Sequence, residues 1–412
     1  MSIKIILIAA IVAFFCASGL NANSVFSFYG IPNQENNADI YGTGMGETGL
    51  GDVYRRNTGY KNPSLASTLN QVYFATGILY GNYYYYDNQG NEFRKDGLHF
   101  PYFNMTIPLK RHRIGFDFAP ILSGNADVYS YDQNWTEDDI SYDYTEINKV
   151  RSYMYKGSFF YAYTDRIANV GLSLDYYLGH RFRAWTQEFT GAGGFINPKY
   201  EYNETFRNPG ITVGLNRSFG NFSLGGMYRY GVSMKGKTEL VSVHSVFDLG
   251  ESSFELPHKI GLGTAYRFTD NYRVTADVEF ELWNDNKYYN NSSDTYKVGI
   301  GFAYEPYWGF EKWYQKIPLR TGGYYRTLPF DVNGNELSEM ALTFGFTIPL
   351  QSPNSQLDFA VKYMVRGDKT VNLYQDKQLL FGIGLAGFDF FRSRPRRTEP
   401  REIPEAEFEG YR

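Results

Sequence analysis

The stretch "YKVGIGFAYEP", residues 296–306, alternates between large apolar side chains and small or charged ones. One face of an extended chain would hold Tyr296, Val298, Ile300, Phe302 and Tyr304. The other face would hold Lys297, Gly299, Gly301, Ala303 and Glu305. A period of two predicts a β-strand with one apolar face. The same pattern recurs in "VTADVEFELW" (274–283) and "LDFAVKYMVRG" (357–367).

The composition indicates where the apolar faces point. Tyrosine (38) and phenylalanine (33) dominate an aromatic share of 18%, and glycine reaches 42 residues of 412. Yet the mean hydropathy is polar, at −0.43. A soluble protein would bury most of these rings, whereas a membrane barrel turns rings toward lipid and polar groups toward its lumen. The net charge of −4 gives no general attraction to nucleic acid.

The alternating pattern continues along the chain and predicts an all-β, fourteen-stranded antiparallel transmembrane barrel over residues 71–391. Most segments are long enough for tilted strands that cross the hydrocarbon. The predicted strands are 71–86, 98–109, 113–123, 151–164, 168–179, 207–218, 222–235, 256–268, 272–284, 295–306, 317–327, 338–350, 355–366 and 376–390.

The connections between these strands alternate in length. Short ones follow even-numbered strands, at 110–112, 165–166, 219–221, 269–271 and 351–354. Long polar ones follow odd-numbered strands, at 124–150, 180–206, 236–255 and 285–294. Tight periplasmic turns and long outer loops are typical of outer-membrane barrels. We therefore expect both termini in the periplasm, and an aromatic interfacial turn at the longer link 307–316.

The two ends of the chain carry different signals. Residues 1–22 combine an early lysine, an apolar run at 5–17 and small residues near a cleavage point, which predicts a signal peptide. Cys16, the only cysteine, lies in this leader, so the mature chain has no disulfide framework. Residues 392–412 are rich in proline and charge, and we expect a disordered periplasmic tail that is available to a protein partner.

Residues 23–70 lack the period of two and contain many glycines. A fourteen-stranded barrel is too wide for its own side chains to fill. Irregular backbone is tolerated at membrane depth where protein or water surrounds it. We therefore expect this segment to plug the lumen.

The order of leader, glycine-rich segment and fourteen strands resembles the FadL/TodX family of outer-membrane transporters of hydrophobic compounds. The resemblance includes "GMGETGLGDVYRRNTGYKNPSLAS" (44–67), in which Asn62, Pro63 and Ser64 match an Asn-Pro-Ala motif with serine in place of alanine. The stretches "LRTGGYYRT" (319–327) and "MALTFGFTIPL" (340–350) also look like that family. The resemblance implies uptake of long-chain fatty acids or similar molecules through an apolar lumen pocket, past a hatch formed by 23–70.

The resemblance also raises two local questions. Asn62-Pro63 forms either a simple turn before the first strand or a turn that also latches the hatch to the inner wall. The family's third strand is kinked and opens the wall sideways. The corresponding strand here contains Gly115 and Pro120, and Pro120 marks either such a gate or only the end of the strand.

Charged side chains on the lumen face have two interpretations. They solvate the lumen as paired charges, or Arg229, Arg320 or Arg326 binds a carboxylate headgroup, since guanidinium binds carboxylate in a bidentate manner.

Other chemistry finds little support. Gly44-x-Gly46-x-x-Gly49 matches a dinucleotide fingerprint, but no buried strand precedes it. The five histidines show no metal-ligand spacing; they are His99, His112, His180, His244 and His258. We expect no cofactor, no metal and no enzyme activity. The alternative function is a partner in protein secretion or surface assembly, and a porin-like structural barrel comes third.

Overall fold

The computed structural model describes residues 24–29, 33–35, 38–55, 61–137, 140–190, 196–284, 292–306, 312–350 and 355–387. The predicted leader and the predicted tail lie outside these residues. Among the described residues, no helix combines the length and the apolar character that a membrane crossing requires.

The described residues are dominated by β-strands. The strands are β1 (Asn33–Gln34), β2 (Tyr73–Asp87), β3 (Glu92–His99), β4 (Phe103–Leu109), β5 (His112–Glu137), β6 (Ile140–Tyr163), β7 (Asn169–Phe189), β8 (Lys199–Phe219), β9 (Phe222–Arg229), β10 (Val232–Ser242), β11 (Val246–Leu256), β12 (His258–Thr269), β13 (Tyr272–Leu282), β14 (Thr295–Tyr304), β15 (Leu319–Val332), β16 (Asn335–Pro349), β17 (Gln356–Arg366) and β18 (Tyr374–Ala386).

The strands form a closed antiparallel barrel, because β18 pairs with β2 along its length. Three of the wall strands are interrupted, so β3 with β4, β9 with β10, and β11 with β12 each act as one. The two-residue β1 belongs to the N-terminal segment and pairs with β5. The wall therefore has fourteen strands, which confirms the predicted fold class.

The two faces of the wall follow the predicted alternation. On β14, Ile300 is 61% exposed and Val298 46%, whereas Lys297 is 6% exposed and Ala303 is fully buried. The apolar side chains therefore point out of the barrel, and the charged and small ones point into the lumen. A period of two places alternate residues on opposite faces because the backbone is pleated.

The predicted alternation in connection length holds only in part, because the connections after odd-numbered wall strands contain much more strand than expected, and Asn333 and Gly334 join β15 to β16 in a two-residue turn. Two-residue turns join β4 to β5 and β8 to β9, where Lys110 and Gly220 adopt positive φ angles of 57° and 65°. The predicted loops 124–150, 180–206 and 236–255 are wrong, since most of their residues extend β5 to β8 and form β10 and β11. These extensions lie beyond the apolar belt, so a mainly polar outer face hid their alternation.

The second wall strand (β3 with β4) and the third (β5) separate beyond the start of β4, on the side away from the β4–β5 turn. β4 pairs with β5 only as far as Phe118, whereas β3 pairs with β2. The edge of β5 above this point receives β1, through Asn33 opposite Ser123 and Gln34 opposite Leu122. The N-terminal segment thus completes the sheet where the wall's own strands do not.

The N-terminal segment is irregular and mostly buried. It contains a short α-helix, α1 (Ile40–Thr43), and two 3₁₀-helices, Val25–Tyr29 and Pro63–Thr68. At one end, the hydroxyl of Ser24 donates to the carboxylate of Asp376 near the start of β18. At the other end, Arg113 Nε donates to the carbonyl of Leu69 at 2.9 Å, beside the β4–β5 turn. The segment therefore runs from the rim with long connections to the rim with tight turns.

Candidate functional site in the lumen

Glycines allow the N-terminal segment to touch the wall backbone to backbone. Gly46 has a φ of 67°, and a Cβ there would lie 2.5 Å from the nitrogen of Gly323. A Cβ on Gly322 would lie 2.5 Å from the nitrogen of Gly46. No other residue fits such an approach. The three glycines of the apparent dinucleotide fingerprint belong to this contact: Gly44 packs on Gly345, and Gly49 donates to Asp277.

Glu47 of the segment forms ion pairs with two lysines of the wall. Its carboxylate accepts from Lys297 Nζ at 3.0 Å and from Lys362 Nζ at 2.9 Å, and Glu47 is 2% exposed. Lys61, near the end of the segment, pairs with Glu279 at 3.1 Å. Buried charges must be paired because their desolvation is costly. These pairs therefore fix one position of the segment against several strands.

A second contact uses backbone donors of the segment. The nitrogen of Gly49 donates to Asp277 Oδ2 at 2.7 Å, and the nitrogen of Leu50 donates to the same atom at 3.0 Å. Asp277 points inward from β13 and is 3% exposed. Hydrogen bonds to an ionised acceptor are stronger than neutral ones, so this carboxylate holds the loop after α1.

A third contact surrounds Tyr41. The guanidinium of Arg320 lies 3.9 Å from the ring centre and that of Arg55 lies 4.6 Å away. Tyr41 donates its hydroxyl proton to Glu305 at 2.5 Å, and Arg273 binds Asp52 at 3.1 Å. Cation–π contacts gain strength where water is excluded. This cluster links α1 and the loop after it to β13 and β15.

Burial and neighbouring charges shift the pKa values of the segment's ionisable groups in different directions. Burial alone would raise the pKa of Glu47, but the ammonium groups of Lys362 and Lys297 lower that pKa below its ordinary 4.5. Burial raises the pKa of Asp52 above its ordinary value, although Arg273 and Arg55 act against this. Burial would lower the pKa of Lys61, but Glu279 and Asp277 raise it. Glu47 and Lys61 are therefore held ionised.

The Asn62-Pro63-Ser64 motif lies against β7 and β8. Asn62 caps the 3₁₀-helix Pro63–Thr68 by accepting from the nitrogen of Ser64 at 3.2 Å. Its amide donates to the carbonyls of Leu50 at 2.9 Å and Leu215 at 3.2 Å. Asn216 of β8 donates to the hydroxyl of Ser64 at 2.8 Å. The motif thus makes a turn and also bonds to the wall, and serine supplies a hydroxyl where alanine would have none.

A cavity of about 60 Å³ with a mixed polar and apolar lining lies between the segment and the wall. That volume holds a few water molecules, at roughly 10–15 Å³ each on the same measure. Its lining includes Gln34, Glu47, Arg326, Glu339, Lys362 and Arg366. The lumen on the side of β15 to β18 therefore carries charged groups beside apolar ones.

An apolar cluster occupies the other side of the lumen, toward β5 to β13. A cavity of about 20 Å³ lies beside it, lined in part by Leu122, Met154, Phe206 and Phe254. Ligand sites in barrels are typically apolar with a few polar groups. The cluster consists of Ile121, Leu122, Met154, Tyr177, Phe206, Val232, Met234, Phe254, Leu256 and Trp283.

The three arginines that we considered for a headgroup all point inward, but they differ in their partners. Arg320 contacts Tyr41 and donates to the carbonyl of Phe346 at 3.1 Å, and Arg326 pairs with Glu339 at 2.7 Å. Arg229 reaches Glu281 only at 3.9 Å. Glu281 also accepts from the indole of Trp283 at 3.0 Å, so Arg229 borders the apolar cluster.

Gly115 and Pro120 lie on β5, where the wall separates. Gly115 pairs normally with Thr106 and Phe160. Pro120 stands at a register shift between β5 and β6, two residues after the pairing with β4 ends. Proline lacks a ladder donor and is tolerated at bulges. The interruption therefore coincides with Pro120 and not with Gly115.

Sequence reasoning missed several residues that hold the segment. Lys297 fell on the lumen face of the alternating pattern, which was a usable signal. Arg273 fell on the same face as Asp277 in the predicted strand 272–284 and carried the same signal, whereas Glu47 carried none, since it lies in an irregular segment and its partners are distant in sequence. Among the described residues, no three or more His, Cys, Asp or Glu side chains are grouped to hold a metal ion.

A family model named BamG matches residues 1–220 and 227–392 of the chain, which is more than half of its length. The chain belongs to the BamG family. No curated protein matches this BamG-family chain in sequence.

The BamG-family chain shares its fold with solved channels and transporters. The monoaromatic hydrocarbon channel CymD has a TM-score of 0.59 at 14% identity, over 89% of this chain and 99% of that one. The Ralstonia pickettii toluene transporter TbuX has a TM-score of 0.60 at 16% identity, over 85% of this chain and 98% of that one. A Pseudomonas aeruginosa FadL homologue has a TM-score of 0.56 at 13% identity, over 86% of this chain and 98% of that one. The predicted resemblance to FadL/TodX proteins is confirmed at the level of fold.

Proposed function

We propose that this BamG-family chain is an outer-membrane channel for passive, gated uptake of hydrophobic small molecules. The observation that supports the proposal most is the apolar cluster of ten residues inside a closed barrel whose lumen also holds charged groups. Such a cluster offers an apolar molecule a surface on which it can leave water.

We also propose that the N-terminal segment 24–70 is the plug of this channel. Its ion pairs with β13, β14 and β17 and its backbone contacts with wall glycines support this role. In this proposal the Asn62-Pro63-Ser64 turn is a latch, because its side chains bond to β8. Uptake then requires these contacts to yield locally, which makes the channel gated.

The substrate class rests on the neighbours and on the cluster. The neighbouring structures are described as toluene and monoaromatic hydrocarbon channels, so monoaromatic hydrocarbons are the first candidates. Long-chain fatty acids are the second, and their carboxylate would meet Arg229, which has only a distant partner and borders the cluster. Arg320 and Arg326 are less suited because closer partners occupy them.

The proposed exit is sideways, between β3 and β5 above Pro120. The wall strands do not pair there. Among the described residues, the edge of β5 is bonded by residues 33–34, by the nitrogens of Ser24 and Glu35, and by Lys95 of β3, which pairs with Asp127 at 3.7 Å. A hydrophobic molecule leaving at this height would enter lipid directly.

For the membrane placement, we propose that the rim with the tight turns faces the periplasm and the rim with the long hairpins faces outward. The end of β18 and the tail would then be periplasmic. Ser24 bonds near the start of β18, so the beginning of the plug would lie toward the outer rim, unlike our expectation that both termini are periplasmic.

Uptake into liposomes tests the proposal. The purified chain, reconstituted with its plug, should accumulate labelled toluene faster than empty liposomes do. Phe254→Glu, which places a charge in the apolar cluster, should reduce uptake at least tenfold, whereas the exposed Phe247→Glu should not. Equal uptake by both variants would contradict a route through the cluster.

A second candidate, a partner in protein secretion or surface assembly, is favoured by the length of the hairpins. β5 and β6 have 26 and 24 residues, whereas about 9–11 are enough to cross a membrane. The extra length projects a sheet beyond the belt. Normal toluene uptake together with loss of surface-protein assembly on shortening this hairpin would favour this role.

A further inference from the structure

Two cations lie at the upper edge of the outer apolar belt, on neighbouring strands. Arg207 of β8 and Lys235 of β10 are directly opposite each other in the sheet, and both are exposed on the outer face. None of the ion pairs between described residues involves either side chain. Like charges directly opposite are unfavourable unless an anion lies between them.

The surroundings of this pair are apolar on one side and polar on the other. Leu178 of β7, 48% exposed, lies opposite Arg207 across the other edge of β8. Toward the tight turns, Ile211 and Val213 of β8 follow on the same face, 38% and 41% exposed. Away from them, Thr205 is polar and exposed. The cations therefore stand where the apolar belt ends.

Neighbouring carboxylates neutralise only part of the patch. Glu251 of β11 lies opposite Lys237, whereas Lys235 has Ser253 opposite on that strand. Glu255 lies opposite Ser233, one step toward the belt. Lys237 thus has an acidic residue directly opposite, and Glu251 and Glu255 lie diagonally from Lys235, whereas no carboxylate lies opposite or diagonal to Arg207 on β7 or β10.

We infer that Arg207 and Lys235 bind the phosphate of an anionic membrane lipid whose acyl chains lie against Leu178 and Ile211. Guanidinium matches phosphate oxygens geometrically, and ammonium adds a second point charge. A free phosphate would satisfy the charges equally, but it would not use the adjoining apolar surface. On the outward rim, the matching lipid is the phosphorylated glycolipid of the outer leaflet, lipopolysaccharide.

The inference depends on the membrane placement and not on what the lumen carries. Arg207 and Lys235 point away from the lumen, so a failure of toluene uptake would leave the lipid site untouched. A failure to bind lipid would likewise leave the transport proposal standing.

Thermal unfolding in nanodiscs tests the lipid site. The full chain is compared in phosphatidylcholine alone, in phosphatidylcholine with lipopolysaccharide, and in phosphatidylcholine with inorganic phosphate. The test variant is Arg207→Gln/Lys235→Gln. The control is Lys199→Gln, an exposed lysine of the same strand that is paired with Glu201 at 2.6 Å.

Lipopolysaccharide should raise the unfolding temperature of the wild type and the control, and the double variant should lose at least half of that shift. In phosphatidylcholine alone the double variant should unfold no earlier than the wild type, because it loses a like-charge contact. An undiminished shift in the double variant would overturn the inference. Inorganic phosphate that protects as well as lipopolysaccharide would overturn the lipid as the source of the anion.

Discussion

At the scale of single residues, Glu47 holds the plug most directly, because one buried carboxylate bonds to Lys297 of β14 and Lys362 of β17. Each partner is itself buried, so the loss of Glu47 leaves two buried ammonium groups short of countercharge. Removing one member of a buried pair is more damaging than the net strength of the pair, since it leaves uncompensated charge.

Glu47→Gln should therefore weaken plug docking by about 3–5 kcal/mol. We expect higher ion conductance in planar bilayers and faster proteolysis within 24–70. The matched control is Glu251→Gln, which removes an exposed carboxylate from β11. If Glu47→Gln matches the wild type in conductance and proteolysis, the ion pairs do not hold the plug.

Docking should also depend on pH through the same residue. The pKa of Glu47 is lowered on docking, so its contribution is complete above its ordinary value of 4.5. That contribution is lost as pH falls through the lowered pKa. Asp52 acts in the opposite sense, because its raised pKa favours the docked, protonated form as pH falls.

Proteolysis of the plug should accordingly accelerate as pH falls below about 4.5, with an acid-stable protease as probe. Glu47→Gln should remove this acceleration, and Asp52→Asn should make it steeper, since the opposing group is gone. The same pH profile in all three proteins would exclude Glu47 as the titrating group.

At the scale of elements, the wall and the plug fit because glycines face glycines. A Cβ on Gly225 of β9 would lie 2.7 Å from Gly51 Cα and 2.9 Å from the carbonyl carbon of Leu50. Backbone cannot yield as a side chain does. A Cβ on the adjacent Gly226 would lie 3.3 Å from Leu262 Cδ2, the end of a flexible side chain, and 3.7 Å from the carbonyl oxygen of Gly261, which is an ordinary contact.

Gly225→Ala should displace the plug near residue 51 at a cost of about 1–3 kcal/mol, whereas Gly226→Ala should cost less. Hydrogen exchange of the amides at 49–52 measures the difference, and folding of both barrels is checked by their resistance to detergent unfolding. Equal protection of these amides in the two variants would contradict the close approach.

Alternation along the chain predicts the strand segments with an apolar outer face and misses those with a polar outer face. The wall strands β13, β14 and β17 lie within a few residues of their predicted bounds, because apolar residues alternate along their sequences. The outer halves of β5 to β8 have mainly polar outer faces, so residues such as Lys149 and Asn203 resembled loop residues. Their strand structure comes from pairing with each other.

At the scale of the whole molecule, the question is whether the plug moves during uptake. The hydroxyl oxygens of Thr48 in the plug and Thr275 in β13 lie 2.5 Å apart, which places cysteines within disulfide reach. The only native cysteine, Cys16, lies in the predicted leader, so no other thiol of the mature chain competes.

Thr48→Cys/Thr275→Cys should take up toluene at least tenfold more slowly when oxidised, and a reductant should restore uptake. Each single cysteine variant serves as a control that cannot form the bond. Full uptake by the oxidised double variant would show that this part of the plug stays in place during passage.

The sequence by itself determined the barrel within its apolar belt: the fourteen-strand wall, the strand segments of the belt and the face that their residues take. These follow from alternation between neighbours in the chain, which is local information. Only the tertiary structure decided how the lumen is filled. Glu47 contacts Lys362, which is more than three hundred residues away in the chain, and Asn62 contacts Leu215, which is about half as far away in the chain. Such contacts leave no local pattern, because they depend on where the closed wall places each inward side chain.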